Sequence, residues 1–177
     1  MDRSVQLEER QILDIEIRPS TGEDSVYLAQ HLREADKAEV MASCGAGPLE
    51  AVESSRLASK SCFTVLFKGN PALIFGVLDM PDDPKIGCIW MLGTDAVDKF
   101  RKRFVRHSSA YLKDVCAGYD LVTNFVDERH VESIRWLKYI GAQFIHRHPQ
   151  YGVEQRPFLE FILICADLSK QSTLLLK

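Results

Sequence analysis

The stretch from Cys62 to Asp95 admits few architectures. Cys62-Phe63-Thr64-Val65-Leu66-Phe67 is rich in β-branched and aromatic residues, and so are Ala72 to Leu78 and Gly87-Cys88-Ile89-Trp90-Met91-Leu92. Lys68-Gly69-Asn70-Pro71 and Pro81-Asp82-Asp83-Pro84 are turn clusters at the two joints. Three consecutive strands in a meander are therefore expected. After Gly93-Thr94-Asp95 the period becomes helical. Val97, Phe100, Phe104, Ser108, Tyr111, Leu112 and Val115 fall on one apolar stripe between Ala96 and Val115. The chain must build a sheet and lay a long helix on it.

The flanking segments extend the pattern. Ile15-Glu16-Ile17-Arg18 reads as a short strand, and Thr21-Gly22-Glu23-Asp24 as cap chemistry for a helix from about Ser25. The polar run Arg33 to Val40 leads to Gly45, and Pro48 opens a second helix towards Ser59. Beyond Gly118, Leu121 to Val126 is a strand. A helix is expected from about Glu128 to Ile140, with Asp127 as N-cap and Gly141 just past its end. Strands at Phe144-Ile145-His146 and Phe158 to Cys165 complete the order β-α-α-β-β-β-α-β-α-β-β. This implies one α/β (α+β) sheet. At 177 residues, with 46% hydrophobic and 27% charged residues, one domain is expected. It spans residues 15–166, between an N-terminal extension (1–14) and a C-terminal tail (167–177).

Charge narrows the partners. Lys and Arg number 22 and Asp and Glu 25, a net charge of −3, which excludes a globally basic nucleic-acid binder. Nucleic acid is therefore not an expected partner. No apolar run approaches the ~20 residues of a membrane span. The charged N-terminus does not read as a signal peptide, so a cytoplasmic site is the default expectation. Five widely spaced cysteines without C-x-x-C suggest neither a disulfide framework nor zinc. Cys62, Cys88 and Cys165 sit in apolar runs and read as buried. His146 and His148 share a strand face but lack further ligands nearby, so no metal is expected.

Two constellations bear on chemistry. In the first, Ile89 to Asp95 runs from a strand into a helix carrying Lys99, Arg101, Lys102, Arg103 and Arg106. Free amides at a helix start attract anions, whereas cations there oppose the helix dipole by ~0.3–1 kcal/mol each. A bound phosphate would reverse that sign. A solvated helix face, partly neutralised by Asp95 and Asp98, is the equal alternative. The second constellation, Asn124 to Ala142, is a strand, an amphipathic helix, a glycine stop and a strand.

Together, this element order and the segment ending at Gly141 resemble the GNAT N-acetyltransferase superfamily. His130, Ser133, Leu137 and Gly141 stand where that family has the Asn, Ala, Tyr and Gly of N-x-x-A-x-x-L-Y-x-x-x-G-F. The resemblance covers roughly Ile15 to Ile164. It is closer to the GNAT-like proteins of tailed phages, which include internal virion or head-associated proteins. Arg33 to Val40, Trp90 to Asp95, Ser133 to Gly141, Pro149-Gln150-Tyr151-Gly152 and Arg156-Pro157-Phe158 carry the closer match.

The resemblance implies a mixed, mostly antiparallel sheet of about six to seven strands flanked by about four helices. It also implies acetyl-CoA as cofactor and an amine acceptor, protein or small molecule. Trp90, Met91, Leu92, Gly93, Thr94, Lys99, Arg101, Lys102, His130, Ser133 and Leu137 are the implied cofactor-binding residues. Three departures stand out. Gly93-Thr94-Asp95 replaces the family's Q/R-x-x-G-x-G/A loop, Leu137 stands in the place of the tyrosine that often protonates the thiolate, and the fourth strand lacks a glutamate base. The first expectation is an N-acyltransferase of phage type, and the departures motivate the alternative of a catalytically silent module in a phage virion or bound to host proteins. The expected location is accordingly host cytoplasm or virion.

If acetyl transfer is retained, a base is needed. Asp36 and Glu39 lie three residues apart on one helix face, with Arg33 able to neutralise one of them. His130 at a helix start is a further acid or base. The plain alternatives are solvated helix charges for the first two and a helix-start polar group for the third. A backbone N–H near Met91, where the fourth strand splays, could polarise the carbonyl. Trp90 either lines the cleft or is a buried aromatic.

Overall fold

A computed structural model describes residues 14–168. The elements run β1 (Ile15–Pro19), α1 (Gly22–Gln30), α2 (Glu34–Cys44), α3 (Pro48–Ala58), β2 (Ser61–Phe67), β3 (Asn70–Met80), β4 (Asp83–Gly93), α4 (Val97–Val115), β5 (Leu121–Asp127), α5 (Val131–Tyr139), β6 (Gln143–Tyr151) and β7 (Arg156–Ile164). The seven strands form one sheet in the order β1-β2-β3-β4-β5-β7-β6. Every pairing is antiparallel except β4 with β5.

Local chemistry sets the joints. Thr21 caps α1 in a capping box with Asp24. Asp24 also accepts two hydrogen bonds from Arg18 in β1, at 2.7 and 2.8 Å, and one from Thr64 in β2 at 2.9 Å, so one buried carboxylate ties α1 to two strands. Lys68 and Gly69 both have positive φ, the geometry of a two-residue hairpin turn whose twist matches the flanking strands. Pro149 is tolerated in β6 because that strand lies at the sheet edge.

The sheet is covered on both faces. Alternation along β3 sends Leu73, Phe75 and Val77 into a core with Phe100, Phe104 and Leu112 of α4 and Leu137 of α5. Ile74 points the other way, against Leu28, Leu32, Val52 and Trp90 under α1 and α3.

The structure revises several sequence-based expectations. The polar run Arg33 to Val40 belongs to a separate helix, α2, bringing the helices of more than one turn to five among the described residues. α5 starts at Val131 rather than Glu128, with His130 as its N-cap residue. Asp127 is not the cap. Its carboxylate is taken by the Arg129 guanidinium and backbone N–H, at 2.5 to 3.1 Å, in a tight turn after β5. Cys62, Cys88 and Cys165 are half-buried, and only Cys116 is fully buried; all five cysteines are free. The N-terminal extension and most of the C-terminal tail lie outside the described residues, as do the side chains of Lys102, Arg103 and Arg106.

Candidate functional site

The parallel pairing of β4 and β5 is short. It joins Ile86, Gly87 and Cys88 to Leu121, Val122 and Thr123, and stops there. Beyond Cys88 the two strands part. Asn124 bridges the start of the gap: its Nδ2 donates to the Ile89 carbonyl at 2.6 Å, while its Oδ1 accepts from Phe125 N at 2.7 Å. Ile89 C=O therefore points into the gap. Gly93 engages partners there too, its N–H donating to Asp36 Oδ2 at 2.7 Å and its carbonyl accepting from Arg33 N at 3.0 Å. Backbone groups two residues apart on a strand share a direction, so the N–H and C=O of Met91 face the same gap.

A polar cluster stands at this gap. The Glu39 carboxylate accepts from His130 Nδ1 at 2.8 Å and from Asp127 N at 3.4 Å. Asp36 lies 3.6 Å from His130 Nε2 and accepts from the Arg33 guanidinium at 2.9 to 3.1 Å. Ser133 Oγ is 3.1 and 3.2 Å from the two imidazole nitrogens. Asp36 is 2% exposed and His130 8%. Arg33 and His130 are the basic partners that face the Asp36 and Glu39 carboxyl groups in this buried cluster.

Burial pushes the Asp36 carboxyl above its usual range, against the pull of Arg33, Gly93 N–H and His130. Burial does the same to Glu39, against His130. For His130 burial is the largest influence and lowers the value, but the Glu39 hydrogen bond and the charges of Glu39 and Asp36 together raise it. Each shift favours a retained proton in the cluster.

Two cavities meet at the gap from opposite faces of the sheet. One, about 500 Å³, lies under α2 and α3 and reaches Tyr151 and Phe158. The other, about 70 Å³, lies under α4 and α5 among Phe104, Tyr111, Trp136 and Leu137. Glu39, Trp90, Met91, Asn124 and Phe125 line both. Trp136 Nε1 is buried in the second wall and has no hydrogen-bond partner among the described residues.

The hairpin joining β6 to β7 docks on the end of α2 next to the larger cavity. Val153 N and Glu154 N donate to the carbonyls of Ser43 and Ala42 at the end of α2, at 3.3 and 3.2 Å. Gly152 makes this dock possible: it has φ +66, and a Cβ there would stand 2.3 Å from Ala42 O.

The residues expected from sequence are distributed as follows. Asp36, Glu39, His130 and Ser133 come together in one cluster. Met91 sits on the α4 and α5 face with buried Leu137. Trp90 and Leu92 face α1 and α3, and Trp90 donates to Ser59 Oγ at 2.8 Å. Gly93 and Thr94 are buried where β4 ends. The first-turn amides of α4 already have partners: Val97, Asp98 and Lys99 N–H donate to the carbonyls of Thr94, Asp95 and Ala96, Thr94 N–H to Ala72 O, and Ala96 N–H to Thr94 Oγ1. Lys99 and Arg101 are exposed, and Arg101 pairs with Glu132 of α5 at 2.7 Å. Asn124 was not among the residues expected at the site, and Asp127 was expected only as a helix cap; a polar residue inside a buried strand was the available signal for Asn124. Among the described residues no group of three or more His, Cys, Asp or Glu could hold a metal, and no helix is long and apolar enough to cross a membrane.

No curated protein matches the chain in sequence. A family model described as bacteriophage T7, probable scaffold protein Gp13, matches residues 83–149. Solved structures match over nearly the whole chain. yncA from Salmonella typhimurium, solved with its cofactor acetyl-CoA, is 14% identical with a TM-score of 0.67, covering 86% of this chain and 94% of that one. The aminoglycoside acetyltransferase AAC(6')-Ib in complex with coenzyme A is 13% identical with a TM-score of 0.65, covering 90% and 99%. Ard1 from Thermoplasma volcanium is 15% identical with a TM-score of 0.63, covering 85% and 97%. At such identities the likeness is one of architecture: this chain has the mixed, mostly antiparallel GNAT-like fold.

Proposed function

We propose that the chain is an N-acyltransferase of phage type that takes an acyl group from acetyl-CoA and passes it to an amine. The observation that carries this reading is the meeting of two cavities, one from each face of the sheet, at the Glu39–His130–Asp36 cluster between parted strands. Two substrates approaching from opposite sides would meet beside a proton acceptor.

The thioester of acetyl-CoA supplies an already activated acyl group. The residues present fit its arm on the α4 and α5 side, where Trp136 Nε1 is a buried donor in need of an acceptor. The phosphates would meet the side chains of Lys99 and Arg101, because the amides of α4 are engaged within the chain. The Met91 N–H is the donor available to a carbonyl oxygen in the gap. Glu39 takes the proton of the incoming ammonium, and burial, by raising its affinity for a proton, suits it to that task; as the amide C–N bond forms and the thioester C–S bond breaks, the second proton lost by the nitrogen would go to the leaving thiolate. His130, beside Glu39, and Arg33, beside Asp36, oppose the effect of burial and favour the ionised carboxylates.

Calorimetry with acetyl-CoA and a turnover assay on an amine panel test this. Saturable binding is expected, with Glu39→Gln lowering turnover by ~10²–10⁴-fold while binding persists. Absence of binding at millimolar acetyl-CoA overturns it.

The engaged amides of α4 and the Gp13 match over residues 83–149 favour a second reading, a non-catalytic module of a phage particle. Mass spectrometry of purified virions decides between them: the chain in the particle, without turnover on any amine, selects the module.

A further inference from the structure

The larger cavity has a chemistry of its own. Its charged lining residues are Glu39 at the inner end and Glu50 on α3, and its lining includes no Lys, Arg or His. At about 500 Å³ it falls within the range of small-molecule sites. One wall is aromatic: Tyr151 stacks on Phe125 at 4.5 Å between ring centroids and tilts against Phe158 at 4.8 Å. Trp90 adds a fourth ring. The opposite wall carries Ser43 and Ser54, whose hydroxyls donate to the helix carbonyls of Val40 and Ala51, at 3.1 and 3.3 Å, and so turn lone pairs outward. Carboxylates at two points, ring faces between them and hydroxyl acceptors opposite all select positive charge. An anionic or neutral guest would find no charged partner.

We infer that this cavity binds a small polyamine, with one ammonium at Glu39 and a second at Glu50. This deepens the acyl-transfer reading by naming the acceptor class. The volume of the cavity suits a free small molecule. Glu50 is exposed, so its share is that of a rim charge, small and screened by salt.

The test is calorimetric titration of the full chain with spermidine, 1-aminobutane and 1,4-butanediol, without acetyl-CoA. Spermidine is expected to bind more tightly than 1-aminobutane, and the diol not to bind. Glu50→Gln is expected to weaken spermidine about two- to fivefold and leave 1-aminobutane unchanged. Tyr151→Leu, which keeps bulk and removes the ring's polarity, is expected to weaken both amines, with circular dichroism confirming the fold. Equal binding of spermidine and the diol, or an unaltered spermidine affinity in Glu50→Gln, overturns the inference. The readout is binding, so a failed turnover assay leaves this result standing, and failed spermidine binding leaves acyl transfer to another amine standing.

Discussion

Glu39 Oε2 and His130 Nδ1 are 2.8 Å apart although 91 residues separate them in sequence. One stands on α2 and the other caps α5, so the pair joins helices on opposite faces of the sheet through the gap between β4 and β5. Its proton has consequences for stability. A histidine raised by its carboxylate partners stabilises the fold fully below the unfolded value of ~6.5, and that contribution is lost as pH rises through the folded value. The wild-type protein should therefore lose stability as pH climbs from about 6.5. His130→Gln should flatten that slope in urea unfolding measured across pH 6 to 9, and an unchanged slope would show that the pair does not hold the proton.

Asp36 is the structural anchor of the same cluster. It accepts from both Arg33 and the Gly93 N–H in a buried position. Asp36→Ala leaves the mostly buried Arg33 charge and one amide unpaired, and should cost ~3–5 kcal/mol. Asp36→Asn keeps an acceptor for Gly93 and should cost less. Chemical denaturation of both variants separates the lost charge from the lost hydrogen bond.

Gly152 should tolerate no side chain. Gly152→Ala places a methyl against the carbonyls of Ala42 and Ser43 at positive φ, and should cost ~1–3 kcal/mol. Hydrogen exchange at Val153 and Glu154 should rise more than exchange in β3, because only the dock of the hairpin on α2 is lost.

The Arg101–Glu132 ion pair ties α4 to α5 beside the smaller cavity. If the exposed guanidinium is to meet a phosphate, Glu132 competes for it. Glu132→Ala should tighten acetyl-CoA binding by about two- to fivefold, the scale of one exposed pair. Weaker binding would show that Glu132 assists rather than competes.

Thiol labelling offers a direct probe of the larger cavity. Cys44 is exposed and lines it, whereas the other four thiols are half-buried or buried, and Cys116 is pushed up to about 12, chiefly by burial. Cys44 should react first with an alkylating reagent, identified by peptide mass mapping, and a bulky adduct there should block spermidine.

The sheet was legible in the sequence because period and turn chemistry agree with each other. The Cys62–Leu92 meander, the long stripe of α4 and the glycine after α5 all stand where those signals place them. The cluster was only half legible. Asp36 and Glu39 visibly share a helix face, but a helix this polar gives no sign that the face is buried; the burial comes from β4, whose Gly93 N–H needs an acceptor. Asn124 offered only its polarity within an apolar strand, since its role exists only where two strands part. The start of α5 shifted because Arg129 captures Asp127, a contest between two neighbouring partners that propensity alone does not decide.

The abrupt end of the β4–β5 pairing divides the molecule more deeply than a local cleft. Strands β1 to β4 pair among themselves, as do β5 to β7, and the strand pairing that joins the two sets involves three residues on each side. A cut in the Cys116–Asp120 connection would thus yield two complementary fragments, each already zipped internally. Glu39 and Asp36 would leave with the first, His130 and Asn124 with the second. The Glu39–His130–Asp36 cluster is in this sense a property of the seam, created when the two halves are brought into register.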